Sequence, residues 1–146
     1  ILSEPGCLKQ LLEIHEKTQS SVLGVFSASK NQVSNYGVIS SKNIDGIEKV
    51  DGIVEKPKPA DAPSNLAVFG RYILSKDIFL NIEQTKPGLN NEIQLTDAIQ
   101  DLISNQDVFA LEFEGRRFDC GSKEGYISAI IDRASSIDKY KSIIEK

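Results

Sequence analysis

The stretch GIVEKPKPADAPSNLAVFGRYILS, residues 52–75, decides how this chain is read. Gly52-Ile53-Val54 has the apolar, β-branched character of a buried strand. It runs straight into a carboxylate, an ammonium and a proline, Glu55-Lys56-Pro57. A polar loop with Pro59 and Pro63 follows, and Leu66–Leu74 reads as a second apolar strand with Gly70 in its middle. The prolines lower the entropy cost of holding the loop in one shape. They also push each preceding residue toward extended backbone. In open α/β sheets, ligands collect beyond the carboxyl ends of strands, and that is where Glu55 and Lys56 stand. Successive strand residues point to opposite faces, so the reading expects the two charges to reach different parts of a ligand. Glu55 would accept hydrogen bonds from hydroxyls, and Lys56 would offer a point charge to phosphate. Taken alone, the tripeptide is more often a solvated strand exit than a ligand site.

Outward from this stretch, helical and extended patterns alternate. Ser3–Gln19 is expected to be a helix with Leu8, Leu11, Leu12 and His15 on its apolar face. Ser21–Ala28 and Gly37–Ser40 read as strands. Asp45-Gly46 and Asp51-Gly52 read as turns between short apolar segments. Lys76–Glu83 fits a short helix. Residues 90–104, NNEIQLTDAIQDLIS, carry the clearest helical periodicity, with Asn91 and Gln94 spaced as a capping box. Thr96 and Asp97 are expected to make local hydrogen bonds only. Val108–Phe113 alternates as a strand and Arg117–Cys120 as a short extended piece. Ser122 is placed to cap a last helix whose inner face holds Tyr126, Ala129, Ile130 and Ala134. Beyond it, Ile137, Tyr140, Ile143 and Ile144 form an apolar set able to pack on a partner. The alternation predicts an α/β layered fold with a mixed sheet.

Composition narrows the function classes. The 146 residues suit a single domain. The net charge of −4 leaves no basic stripe to neutralise phosphates, so nucleic acid is not expected as a partner. No apolar run approaches the roughly 20 residues of a membrane span, and no signal-peptide pattern opens the chain. A cytoplasmic location follows as an expectation, and with it two free thiols at Cys7 and Cys120. His15 reads as a packed histidine, and Arg116 and Arg117 as a solvated pair. The chain opens with Ile1 and contains no methionine, so a piece of a longer protein is expected.

The segments VEKPKPADAPSNLAVFGRYILS, NEIQLTDAI and FDCGSKEGY, in that order, resemble the bacterial UTP–glucose-1-phosphate uridylyltransferases. These sugar nucleotidyltransferases make UDP-glucose, and the resemblance runs from Leu8 to the helix after Gly121. It implies an α/β architecture: the C-terminal part of a Rossmann-like nucleotide-diphospho-sugar transferase fold, a mixed β-sheet flanked by helices. Residues 1–146 would be the sugar-binding part of a single nucleotidyltransferase domain. The family's glycine-rich triphosphate loop, roughly G-x-G-x-R-x-x-P, is not found here. The resemblance therefore implies that the nucleotide-binding part is absent and that this chain alone does not turn over.

The same resemblance implies residue roles. Glu55 matches the glutamate that binds glucose hydroxyls, and Lys56 the lysine that contacts the sugar phosphate and serves catalysis. Gly37 matches a glycine whose N–H faces the sugar. Gly70 matches one lining the sugar pocket, where a side chain would collide with ligand. Asp119 matches one of two aspartates holding the cofactor Mg²⁺. UTP and glucose 1-phosphate would be substrates, UDP-glucose and pyrophosphate products, and the assembly a homo-oligomer. Two other readings stand beside this one. The first is a thymidylyl- or guanylyltransferase; the second is a non-catalytic module that binds sugar phosphate or oligomerises.

Overall fold

A computed structural model describes residues 1–88 and 91–144. The chain divides into a unit of residues 5–114 and a second made of residues 1–4 with 115–146. The larger unit begins with α1 (Cys7–Thr18), followed by β1 (Ser21–Ser27), a 3-10 turn (Val33–Asn35), β2 (Gly37–Ile44) and β3 (Ile47–Glu55). It continues with β4 (Leu66–Ile73), α2 (Ile78–Gln84), α3 (Leu95–Asn105) and β5 (Val108–Glu112). The strands form a closed ring in the order β1-β4-β2-β3-β5. β1 and β5 run parallel, and the other pairs are antiparallel. The sheet is thus mixed and carries helices on its faces, the α/β architecture that the alternating pattern predicts.

The core lies where α2 and α3 meet the sheet. Leu23, Val25, Ile39, Ile53 and Val108 pack with Ile78, Ala98, Ile99 and Leu102. A second cluster joins Cys7 and Leu11 of α1 to Val22 and Phe113. Burying such side chains contributes roughly 1.5–3 kcal/mol each before entropy is set against it.

Several expectations change on contact with the fold. On α1 the buried face carries Cys7, Gln10 and Leu11, with Ile14 packed beside them, whereas Leu8 is 55% and Leu12 40% exposed. Both stripes have helical spacing; the neighbours Val22 and Phe113 choose between them. Gln10 is buried because it is satisfied: its amide donates to the Pro5 and Glu114 carbonyls, and its oxygen accepts from the Glu114 N–H. His15 is half-buried, with Nδ1 2.8 Å from the Ser20 carbonyl, in keeping with a packing role.

Asp45-Gly46 is the hairpin turn expected, with φ of 52° and 84° at its two residues. Asp51-Gly52 is no turn. It lies inside β3, where Ser40 faces Gly52 but Ser41 faces Val50, so Asp51 is the extra residue of a bulge. A Cβ on Gly52 would stand 2.9 Å from the Ser40 hydroxyl, which is why the bulge carries a glycine there. The capping box also fails: α3 begins at Leu95, its N-cap is Gln94 without a side-chain cap bond, and Asn91 has φ 59°. Residue 90 lies outside the described residues.

In the smaller unit, Leu2 bridges to Arg116 by paired backbone hydrogen bonds. Ser122 caps α4 (Lys123–Ser135) by accepting the Gly125 N–H, as expected. The anticipated inner face does not exist in this unit: α4 buries no residue, and Tyr126, Ile127, Ile130 and Ile131 are about half-exposed. Asp138–Ile144 forms α5, with Tyr140 and Ile143 exposed; the Ile144 side chain lies outside the described residues. Among the described residues no helix is long and apolar enough to cross a membrane.

Candidate functional site

The end of β3 is built from four elements. Register places Glu55 opposite Gly37, so the last residue of β3 faces the first of β2. The Glu55 carboxylate is mostly covered, with 18% of its side chain accessible. Its Oε2 accepts the Thr96 hydroxyl at 2.6 Å, tying the strand end to the first turn of α3. One helical turn on, Gln100 Oε1 accepts the Ile53 N–H at 2.9 Å. Thus i, i+4 on the helix meets i, i+2 on the strand, and β3 is fixed to α3 at both positions.

Gly37 is small because the space beside it is taken. A Cβ there would lie 3.1 Å from Val68 Cγ2, 3.3 Å from Glu55 Oε2 and 3.4 Å from Thr96 Cγ2. Its neighbour Tyr36 accepts the Lys56 N–H through its carbonyl at 3.0 Å.

Lys56 departs from expectation. Its φ is 44°, a left-handed conformation unusual for a residue with a side chain and the opposite of the extended backbone expected before proline. This ends the strand and breaks the alternation that would have sent Lys56 away from Glu55. The ammonium lies 3.5 Å from Glu55 Oε1, with 45% of the side chain accessible. Strand alternation predicts that the two charges diverge; the left-handed residue brings them together.

The loop that follows is tied to the sheet by hydrogen bonds. Ser64 Oγ donates to the Ile39 carbonyl at 2.6 Å and accepts the Leu66 N–H, while Asn65 accepts the Ala28 N–H. Gly70 follows in β4 with φ 78°, and a Cβ placed on it would meet nothing within 4 Å. Its glycine is therefore required by backbone conformation rather than by crowding within the chain. Tyr72, two residues on in β4, is partly buried. Burial raises its phenol above the usual range, the Gly70 backbone hydrogen bond partly offsets this, and the Glu55 charge adds to the rise.

Asp119 belongs to the smaller unit and is set by local contacts. Its Oδ1 accepts the Gly121 N–H at 3.1 Å, its Oδ2 lies 3.7 Å from Arg117, and its carbonyl accepts the Ser122 hydroxyl. A side chain on Gly125 would strike the Asp119 carbonyl, so the first turn of α4 closes directly on this turn. Arg116 pairs with Asp132 and stays largely solvated as expected, whereas Arg117 is mostly covered and departs from that reading. No group of three His, Cys, Asp or Glu among the described residues could cage a metal. One exposed carboxylate still suits a cation such as Mg²⁺, which takes one or two carboxylates and completes its shell with water and phosphates.

The structure thus gathers Gly37, Glu55 and Lys56, while Gly70 lies in β4 with open space beside it. Thr96 is the residue that sequence reasoning missed as a partner of Glu55. A separation of 41 residues leaves no local signal for that bond.

The chain belongs to the Nucleotidyl transferase family, whose profile matches residues 2–136. More particularly, it is similar to UTP–glucose-1-phosphate uridylyltransferase 2 of Streptococcus pyogenes serotype M3, at 46% identity over 86% of this chain and 43% of the relative. It is also similar to the crystal structure of a UDP-glucose pyrophosphorylase complexed with UDP-glucose: TM-score 0.87, 44% identity, 91% of this chain and 51% of that one. The UTP-bound enzyme from Acinetobacter baumannii aligns at TM-score 0.77 and 34% identity, over 93% of this chain and 47% of that one. The chain therefore spans less than half the length of the curated relative it matches.

Proposed function

We propose that this chain is the sugar-phosphate-binding part of a cytoplasmic uridylyltransferase that forms UDP-glucose and pyrophosphate from UTP and glucose 1-phosphate. The observation that carries the reading is the Glu55–Lys56 pair at the end of β3, with Glu55 fixed by Thr96 and Lys56 held in a left-handed turn. Support comes from the relatives, named for this reaction at 46–48% identity.

In this reading a phosphate oxygen of glucose 1-phosphate attacks the α-phosphorus of UTP, and the bond to the β-phosphate oxygen breaks to release pyrophosphate. No side-chain nucleophile is needed, so the protein contributes position and charge. Glu55 accepts hydrogen bonds from the glucose hydroxyls. The Gly37 N–H and the open space beside Gly70 line the sugar, and Lys56 neutralises its phosphate. Mg²⁺, when bound, would offset phosphate charge, and Asp119 is the residue of this chain proposed to hold it.

Pyrophosphate release with the nucleotide-binding part supplied tests this reading. Lys56→Ala is expected to lower the rate on the order of 10²–10³-fold, the loss typical of removing one transition-state charge contact. A near-unchanged rate would remove Lys56 from the mechanism. Asp119→Asn is expected to shift the Mg²⁺ titration to higher concentration, and an unshifted titration would exclude it as a ligand.

A further inference from the structure

Thr96 is held by its hydroxyl. The hydroxyl donates to Glu55 Oε2 at 2.6 Å, while the methyl carbon Cγ2 faces Gly37, 3.4 Å from where a Cβ would sit. A β-branched side chain has few χ1 rotamers, and the bond to Glu55 selects one of them. Its helix is in turn anchored to the same strand by Gln100 and the Ile53 N–H. The hydroxyl is therefore a fixed donor.

This fixes the division of labour between the two carboxylate oxygens. Oε2 accepts the Thr96 hydroxyl hydrogen bond and lies beside Gly37. Oε1 lies 3.5 Å from the Lys56 ammonium, longer than the roughly 2.7–2.9 Å of a charge-assisted hydrogen bond. Oε1 thus keeps lone pairs for an external donor, at the side where a phosphate would meet Lys56.

We propose that Thr96 is a positioning residue for sugar recognition: by engaging Oε2 it locks the Glu55 rotamer and leaves Oε1 as the acceptor for a ligand hydroxyl. The inference deepens the functional reading above and rests on Glu55 being the hydroxyl acceptor.

The test is a titration of the full 146-residue chain with glucose 1-phosphate, followed by amide chemical shifts, on three variants and one pair. Thr96→Val keeps the shape and loses the donor; it is expected to weaken binding about tenfold, the equivalent of one lost hydrogen bond to a charged group. Thr96→Ser keeps the donor and is expected to restore most of that affinity. Glu55→Ala weakens binding by itself, and adding Thr96→Val to it has no further effect, because the threonine acts through the carboxylate. A Thr96→Val effect that persists without Glu55, or a Thr96→Ser variant as weak as Thr96→Val, would overturn the positioning role. Should Thr96→Val not fold, Thr96→Ala takes its place, judged against Thr96→Ser and in the Glu55→Ala background in the same way. Unchanged binding in Glu55→Ala would instead defeat the functional reading itself.

Discussion

Glu55 and Asp119 are both carboxylates proposed here to meet ligands, yet they are held by different means. Glu55 ends a strand of the 5–114 unit, and its partner Thr96 comes from a helix 41 residues later. Asp119 sits in the other unit, where its carboxylate takes the Gly121 N–H and its carbonyl the Ser122 hydroxyl, two and three residues along the chain. The first is positioned by tertiary packing, the second by a local turn. The unit that holds Glu55 has a core of buried side chains, whereas α4, which follows Asp119, buries none. A rigid strand end suits recognition of one sugar. A carboxylate on a solvated turn suits a metal that brings its own water and phosphates.

The comparison breaks most visibly in stability. Leu11→Ala or Ile99→Ala, each removing a side chain that is at most 1% exposed, is expected to cost about 2–5 kcal/mol. Ile130→Ala, at 50% exposure, is expected to stay within about 0.5 kcal/mol. Urea unfolding of the three variants checks this, and equal losses would erase the distinction between the units.

A smaller effect concerns strain at the functional strand end. Lys56 adopts φ 44°, where a residue with a Cβ is penalised by roughly 1–2 kcal/mol and glycine is not. Lys56→Gly is therefore expected to be more stable than Lys56→Ala by about 1 kcal/mol, although both lose phosphate affinity. Equal midpoints for the two variants would mean that the left-handed turn stores no strain.

The smallest expected effect is a pH dependence. Burial raises the folded-state pKa of Tyr72 above its unfolded value, and Glu55 adds to this. Above pH about 10 the unfolded chain loses this proton first, so it binds fewer protons than the folded one and stability falls as pH rises. The contribution is fully present below that range. Tyr72→Phe is expected to flatten the alkaline limb of the stability curve, and an unchanged limb would assign it to other groups.

Much of the fold was legible because it rests on local chemistry. The apolar run of β1, the Asp45-Gly46 hairpin and the Ser122 cap each need only neighbouring residues, and each stands where the sequence places it. The misreadings share one cause, a choice made by distant partners. Cys7-Leu11-Ile14 and Leu8-Leu12-His15 are equally helical stripes, and Phe113 selects the first. Asp51-Gly52 has turn chemistry, yet pairing with β2 absorbs it as a bulge. Within the site, Glu55 and Lys56 stood out as a motif, but the bond to Thr96 and the left-handed Lys56 could not be read from neighbours along the chain.

The central claim is that Glu55 and Lys56 grip one phosphorylated hexose between them. A crystal structure of the chain with glucose 1-phosphate tests it most directly. The account predicts a glucose hydroxyl within about 3 Å of Glu55 Oε1 and a phosphate oxygen at a similar distance from Lys56 Nζ, with Thr96 still on Oε2. A sugar phosphate bound elsewhere, with both side chains turned to bulk water, would contradict it.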